Sequence, residues 1–583
     1  MRSPQTAPVV HSEVSTLRSP ETVDQLVAEN QELKRQVQRL KTQHASLAHR
    51  LKRVEDSQIF RFLGWFGGRL LDLPAWVLRV VPLRRLLGPG ATVGYKEWIQ
   101  QTATMDLASK PGEPPRFRAA PPLVSVVVWD SGRNRSIDDS STMVVSIRKQ
   151  SHESHEVHFC GSATVEDFLK VLAQCKGEFV AILSADVILE QDAIESWVKA
   201  AASGIDLVYS DWDHLDSQGQ RHSPRWTPEF SPTLLEQVLY CGGCFLARAD
   251  ALRTMPPLEE QHDRSLPHRL AIAVARPGRV TRIPRILWHQ TGDTAPKAPA
   301  VSGAAKHVPR VEFTASIVIC SRSPKRLRKC LASLQPTIDA RTEIVVVCHE
   351  AESHFAQERT NLDSVASEFG AKAVAYTGGF HFGLMNEMGA RAATGAILVF
   401  LNDDVYPIAT DWLDRMASQA IKDDVGAVGA LLYYPSGRIQ HSGIVVGGMV
   451  GATHVGQFMR EAPHWPWLKM SREVTAVTGA CLALRRQVWD ELGGFDPRFP
   501  VNYNDTDLCL RLHGLGYRVV LEAGATLTHE ESQTRQPGVS PEELARFADL
   551  WGDVLEKPDP YFHPELIIAG RDIQLRSPWA RLR

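Results

Sequence analysis

The sequence predicts an α/β protein: two consecutive layered domains, each on a mainly parallel sheet, preceded by an N-terminal coiled-coil helix. Three observations predict it. Short β-branched runs alternate with helical patterns through residues 121–535, the arrangement of strands joined by helical crossovers. That arrangement occurs twice, with similar landmarks in the same order. Before it, Val23, Leu26, Asn30, Leu33, Val37, Leu40, His44, Leu47, Leu51 and Val54 are spaced three and four apart, which is the a/d seam of a coiled coil.

Composition sets the frame. The chain has 583 residues, 43% hydrophobic and 23% charged, an ordinary globular balance long enough for about four domains of ~150 residues. With 65 Lys and Arg against 67 Asp and Glu, the net charge is −2. That balance argues against nucleic-acid binding, which needs a basic face. Nine cysteines are too few for a disulfide scaffold and point to a reducing compartment. Cys241-Gly-Gly-Cys244 is a single CxxC with no second pair, and reads as a buried structural pair rather than a zinc site.

Residues 1–20 read as disordered, and they carry no apolar core of a signal peptide. The seam occupies 21–58. Leucine fills d from 26 to 47, Glu29 falls at g and Lys34 at the following e, and Asn30 at a helps fix register. A homo-oligomer is expected; the competing reading is one helix packed on its own domains. Residues 59–110 read as an amphipathic helical segment. Arg61, Arg69, Arg79, Arg84 and Arg85 stand among Trp, Phe and Leu, and Pro74 and Pro82 break any long helix. Such a segment suits peripheral contact with an anionic membrane, or equally a helical hairpin capping the next domain. No stretch reaches about 18 uncharged apolar residues, so no span is expected. The expected location is cytoplasmic, at most peripheral at the inner membrane face.

Pro-rich joints at 110–122 and 291–309 divide the rest. They give a domain at 111–291, a linker at 292–311, a domain at 312–535 and a C-terminal extension at 536–583. The domains open on Ser125–Trp129 and Ser316–Cys320. Each then has an apolar strand running into acid, Phe179–Asp186 and Ile397–Asp404. Each has a further acid, Asp263 or Asp505, and a late strand ending in His289 or His529. Ligands of parallel sheets sit at the carboxyl ends of strands.

In the second domain, Asn402-Asp403-Asp404 places hard oxygen ligands just past a buried run. Acids there are costly unless they meet a cation. Carboxylates with a histidine suit Mn²⁺ or Mg²⁺, which would neutralise a diphosphate leaving group. The plain alternative is capping of a helix near Thr410-Asp411-Trp412. Further on, Tyr503-Asn504-Asp505-Thr506-Asp507 opens a helix whose dipole favours carboxylates. One of these acids could take a proton from an acceptor hydroxyl, or simply cap.

The order of these motifs resembles glycosyltransferase family 2, of GT-A fold. The branch is similar to bacterial rhamnosyltransferase-type, O-antigen and surface-polysaccharide enzymes. The matching text includes Gly379–Phe382, Asn386, Phe400–Val405, Val425–Gly448, Val474–Arg486, Gly493–Val520 and His529–Ser532, within about two-fifths of the chain. The resemblance implies a DxD-type motif at Asn402, Asp403 and Asp404, gripping sugar nucleotide and metal. It implies Asp404 and His529 as metal ligands and Asp505 as catalytic base, with Asn504 where Glu is common. Ser321, Arg322 and Asn386 match positions flanking nucleotide and donor, and Gly479, Ala480 and Cys481 the acceptor wall. Gln440 and His441 match a branch signature without an assigned role.

The implied activity is inverting transfer from a nucleotide-sugar donor to a glycan, lipid-linked acceptor, with Mn²⁺ or Mg²⁺ as cofactor. Cys348 and His349 stand where the family often has a base-contacting Asp, so UDP, dTDP and GDP donors stay open. No Gln-x-x-Arg-Trp motif occurs, which argues against a processive synthase. The first domain resembles the family more faintly, through Val208–Asp213 and Pro224–Pro232. Its candidate metal motif is only Ser184-Ala185-Asp186, and Arg264 stands beside Asp263. It reads as degenerate, a scaffold or acceptor-binding module. The alternatives are a bifunctional enzyme with two active domains, or a non-catalytic coiled-coil scaffold.

Overall fold

Runs such as Ile397-Leu-Val-Phe-Leu have no polar face, so they fold only where both faces of a strand are covered. In the computed structural model of the chain they lie at the centres of two sheets. The structure describes residues 92–108, 121–129, 141–161, 164–201, 204–258, 264–292, 311–350, 356–447, 451–459, 465–530, 539–569 and 572–578. The expected disordered tail, the coiled coil, the segment through 91, most of both joints and Asp263 lie outside these residues.

Helix α1 (Tyr95–Ala108) is followed by the first sheet. Its main elements are β1 (Val124–Trp129), α2 (Thr142–Arg148), β2 (His155–Cys160), α3 (Val165–Leu172), β3 (Phe179–Ser184), β4 (Val187–Leu189), α4 (Ala193–Ala200), β5 (Leu207–Leu215), β6 (Cys244–Arg248), α5 (Leu266–Val274) and β7 (Val280–Thr291). Spatial order is β2-β1-β3-β6-β5-β7-β4.

The second sheet uses β8 (Ala315–Ser321), α6 (Pro324–Leu334), β9 (Thr342–Glu350), α7 (Ala356–Glu368), β10 (Lys372–Thr377), α8 (Phe382–Ala392), β11 (Ile397–Asn402), β12 (Val405–Pro407), α9 (Trp412–Ala420), β13 (Val425–Tyr433), β14 (Ile439–His441), β15 (Cys481–Arg485), α10 (Asn504–Gly514) and β16 (Arg518–His529). Its order is β10-β9-β8-β11-β15-β13-β16-β12, the first sheet's order with one more edge strand. Apolar clusters fill both faces of each sheet.

The fold is mixed α/β, and the expectation of mainly parallel sheets needs correction. β6 and β15 run antiparallel to both neighbours, and β4 and β12 are antiparallel to β7 and β16. An interior apolar strand has the same composition in either sense, so direction leaves no trace in it.

The two sheets share a local device. Gly177 and Gly395 each donate a backbone N–H to a buried serine, Ser125 or Ser316, and that serine donates to Glu156 or Glu343. A side chain at either glycine would fall within 2.6 Å of backbone atoms. Only glycine lets the chain enter the central strand so closely.

After β16 the C-terminal extension forms α11 (Pro541–Leu555), β17 (Leu566–Ala569) and β18 (Asp572–Arg576). β18 pairs with Thr92–Val93. The extension touches the first sheet and a small hairpin of the second domain: His563 Nε2 lies 2.7 Å from Asp211 Oδ2, and Asp559 accepts from Val446 N at 2.8 Å. Glu473, buried, takes hydrogen bonds from Ser231 and Thr233 and pairs with Arg518. Cys241 and Cys244 are both free and buried, as expected. Burial pushes the Cys241 thiol up to about 12. Among the described residues no helix is long and apolar enough to cross a membrane.

Candidate active site

β11 delivers Asn402 to the end of the second sheet, and the chain turns at once into β12. β12 pairs antiparallel with β16, setting Val405 opposite His529. That register brings the residue before Val405 to the histidine: His529 Nε2 is 3.2 Å from Asp404 Oδ1. His529 Nδ1, buried, has no hydrogen-bond partner among the described residues, and buried Asp404 Oδ1 has none beyond its contact with that imidazole. Burial raises the Asp404 carboxyl, but the His529 contact and Arg326 outweigh it and hold it below the usual range. A buried carboxylate oxygen whose partner is an imidazole is a donor set that Mn²⁺ or Mg²⁺ fits. Among the described residues no third His, Cys, Asp or Glu joins them. That suits an ion that takes its other ligands from substrate phosphates and water.

Asp403 points the other way. It accepts from Ser321 Oγ at 2.6 Å, and Arg326 Nε lies 3.4 Å away. Burial pushes its carboxyl up, against the opposing pull of Ser321 and Arg326. The capping alternative is not realised: α9 starts at Trp412, with Asp411 at its N-cap position. Arg322 is exposed, and its charge reaches Asp403. Asn386, buried on α8, donates to Phe382 O and lies 3.5 Å from Cys320 Sγ. It therefore packs against the end of β8.

Asp505 comes from a separate element. Tyr503 takes φ +60° before α10, a left-handed turn unusual for a bulky residue. Asp505 follows in the first turn. Its Oδ2 accepts from Gly479 N at 2.9 Å and its Oδ1 from Thr506 N at 2.7 Å. The next residue after Gly479 closes the link to the acidic turn, since Asn402 N donates to Ala480 O at 3.0 Å. The stretch 478–480 thus ties Asp505 to the β11 end. Asp507 is structural: it pairs with Arg511 at 2.8 Å and accepts from Trp551 Nε1 at 3.0 Å.

Sequence reasoning missed Arg326 and the grip of α11. Glu543 accepts from Val501 N, Asn502 N and Asn502 Nδ2, Phe547 stacks on Tyr503 at 4.4 Å, and Trp551 holds Asp507. Ser540-Pro-Glu-Glu543 is a visible N-terminal helix signature. Ser540 Oγ does accept from Glu543 N, but the glutamate carboxylate leaves the helix to hold the loop before Asp505.

In the first sheet the corresponding strand end differs. Val187 on β4 lies opposite Gln290, not His289, so Gln290 occupies the register position of His529. The expected match of His289 with His529 is corrected by one residue. Asp186 accepts from Ser184 Oγ and from Gln290 Nε2, and Ala185 stands where Asp403 does. His289 bonds Asp213 and Glu190, and Asp213 also takes Arg221 and Tyr95. Burial pushes the His289 imidazole down, but the two carboxylates outweigh it and raise it. His289 is thus committed to a closed ionic network.

Residues 309–548 match the model of the family described as "Glycosyltransferase like family 2". The chain is 30% identical over 500 residues to the O-antigen biosynthesis protein RfbC of Myxococcus xanthus, covering 76% of this chain and 38% of that protein. It is 29% identical over 123 residues to N-acetylglucosaminyl-diphospho-decaprenol L-rhamnosyltransferase of Mycobacterium tuberculosis, covering 19% of this chain and 38% of that one. Among solved structures it is similar to GalNAc-T7 with UDP, GalNAc and Mn²⁺, at TM-score 0.35 and 16% identity, covering 46% of this chain and 51% of that chain. The chain spans 38% of the length of each of these two curated relatives.

Proposed function

Residues 309–548 belong to glycosyltransferase family 2, and from that premise we propose that the chain transfers a sugar, with inversion, from a nucleotide-sugar donor to a glycan acceptor in the assembly of a bacterial surface polysaccharide. One observation carries the reading: Asp404 faces His529 at a strand end to which Asp505 is tied through Gly479 and Ala480.

Asp505 is the proposed base. Each of its oxygens accepts a backbone N–H, and a carboxylate has about four acceptor sites, so capacity remains for an acceptor hydroxyl. The acceptor oxygen bonds to the anomeric carbon while its proton passes to Asp505. The bond from that carbon to the diphosphate breaks, and its electron pair leaves with the diphosphate. Asp403, held by Ser321 and Arg326, and Asn402 would orient the donor, with Arg322 adding positive charge. Asp404 and His529 would hold Mn²⁺ or Mg²⁺, which when bound supplies Lewis-acid stabilisation of the leaving charge.

The lipid-linked acceptor, which the family resemblance implies, is supported by the name of the M. tuberculosis relative. The first sheet we read as a degenerate copy: its acid is satisfied by neutral partners, and Ala185 and Gln290 replace the other ligating types. The bifunctional alternative needs chemistry from that strand end. Self-association through 21–58 and membrane contact by 59–87 remain proposals from sequence; light scattering should show a smaller particle once 1–58 are removed.

The test is a panel of UDP-, dTDP- and GDP-sugars offered to the purified full chain, reading released nucleoside diphosphate with Mn²⁺, with Mg²⁺ and with chelator. Metal-dependent release from one donor class is expected. No release from any donor, with nucleotide not bound, contradicts the reading.

A further inference from the structure

His441 belongs to the motif left without a role, and the proposed chemistry does not use it. It ends β14 and is wholly buried. Its Nε2 lies 3.3 Å from Gly443 N and 3.3 Å from Thr478 N. Backbone N–H groups only donate, so Nε2 accepts and carries no proton. The hydrogen-bond network therefore assigns the ring proton to Nδ1. Nδ1 lies 2.9 Å from Nδ1 of His454, which accepts. Burial, with His454 and Arg472 nearby, pushes the imidazole well below the usual histidine range, in keeping with a neutral ring.

The turn it holds is the one that donates to Asp505. Thr478 N goes to His441, the next N–H, of Gly479, goes to Asp505 Oδ2, and the carbonyl after that, of Ala480, takes Asn402 N. Three successive residues thus connect a buried imidazole, the proposed base and the donor-side strand end. Gly479 leaves no slack, since a Cβ there would stand 3.0 Å from Phe382 and 3.6 Å from Asp505.

We propose that His441 is a positioning residue: its unprotonated Nε2 fixes the turn 478–480 and, through Gly479 N, the orientation of the Asp505 carboxylate. This rests on the reading of Asp505 as the base. The inference concerns an acceptor atom rather than ring volume, so two substitutions separate them. His441→Gln places an amide oxygen near the Nε2 position, and His441→Leu fills space without an acceptor.

The experiment compares full-length wild type, H441Q and H441L in two ways. Backbone amide exchange over the 477–481 peptide needs no substrate. Faster exchange is expected in H441L, and near wild-type exchange in H441Q. Turnover of the donor found in the nucleotide-sugar panel is the second measurement. H441L should lose about 10²-fold in kcat, the effect of misplacing a reacting group by about 1 Å, with donor KM unchanged. H441Q should stay within about threefold of wild type. Unchanged exchange in H441L, or an equal kcat loss in H441Q and H441L when both melt like wild type, overturns the proposal. Should H441L not fold, His454→Leu decides, because it removes the acceptor of Nδ1–H: lower kcat at constant KM supports the proposal, and unchanged kcat overturns it. A wild type that turns over no donor defeats the proposed activity instead, while the exchange measurement still tests the link.

Discussion

Asp186 and Asp404 hold the same register position in the two sheets, each one residue before a short strand paired with the last long strand. Asp186 is satisfied by a serine hydroxyl and the Gln290 amide. Asp404 instead faces the His529 imidazole at 3.2 Å, with no other hydrogen-bond partner for that oxygen among the described residues. The shared strand order builds the same place twice; the neighbours decide whether its carboxylate is quiet or left needing a cation. Buried polar groups are normally paired, so the exception is the informative one.

The sharpest break of this comparison is at the proposed base. Asp505→Asn should lower transfer by about 10³-fold, with nucleoside diphosphate binding retained in a calorimetric titration. Normal turnover would remove Asp505 from the chemistry. Next, Asp404→Ala should lower activity by about 10²- to 10³-fold and remove its dependence on Mn²⁺ or Mg²⁺, since metal stabilisation contributes several kcal/mol. Its partner variant, Asp186→Ala, should leave kcat within about twofold. A comparable loss in both variants would erase the distinction and favour two active centres.

How much of this was legible in the sequence depends on what kind of signal each residue leaves. An apolar run that ends in acids is visible because it has no solvent face, so Asp404 and Asp186 could be placed at strand ends. His529 was visible as the end of the last strand. Gln290 was not, because β7 runs on past His289 to Thr291, and the sequence does not mark where that strand ends. Reading that strand as ending in a histidine, as β16 does, picked His289, and a one-residue difference in register sets a different side chain opposite Val187. Strand direction and the α11 clasp left no local trace either. Glu543 grips Asn502 across 41 residues, and Trp551 grips Asp507 across 44.

Two further tests compare carboxylates by environment. Asp404 is held below its usual range, so its contribution to stability is present above the unfolded pKa and fades as pH falls. Asp559, on the C-terminal extension, is the opposite case: burial raises it to about 6, although Val446 N and Tyr561 N donate to it. The folded state there holds its proton more tightly than the unfolded chain. Stability should therefore fall as pH rises from about 4 to about 6, by about 3 kcal/mol. Urea melts of wild type and Asp559→Asn across that window check it, the variant showing a flatter profile. The smallest effect is expected at the clasp. Glu543→Ala leaves half-buried donors without their acceptor and should cost about 1–2 kcal/mol in the same melts, with nucleotide affinity unchanged.

The most direct measurement is calorimetric titration of the full chain with UDP, dTDP and GDP in the presence of Mn²⁺, repeated on Asp404→Ala/His529→Ala and on Asp186→Ala/Gln290→Ala. The account predicts one metal-dependent site per chain for a matching nucleotide, lost in the first double variant and kept in the second. Two sites per chain, or undiminished binding once Asp404 and His529 are gone, would contradict it.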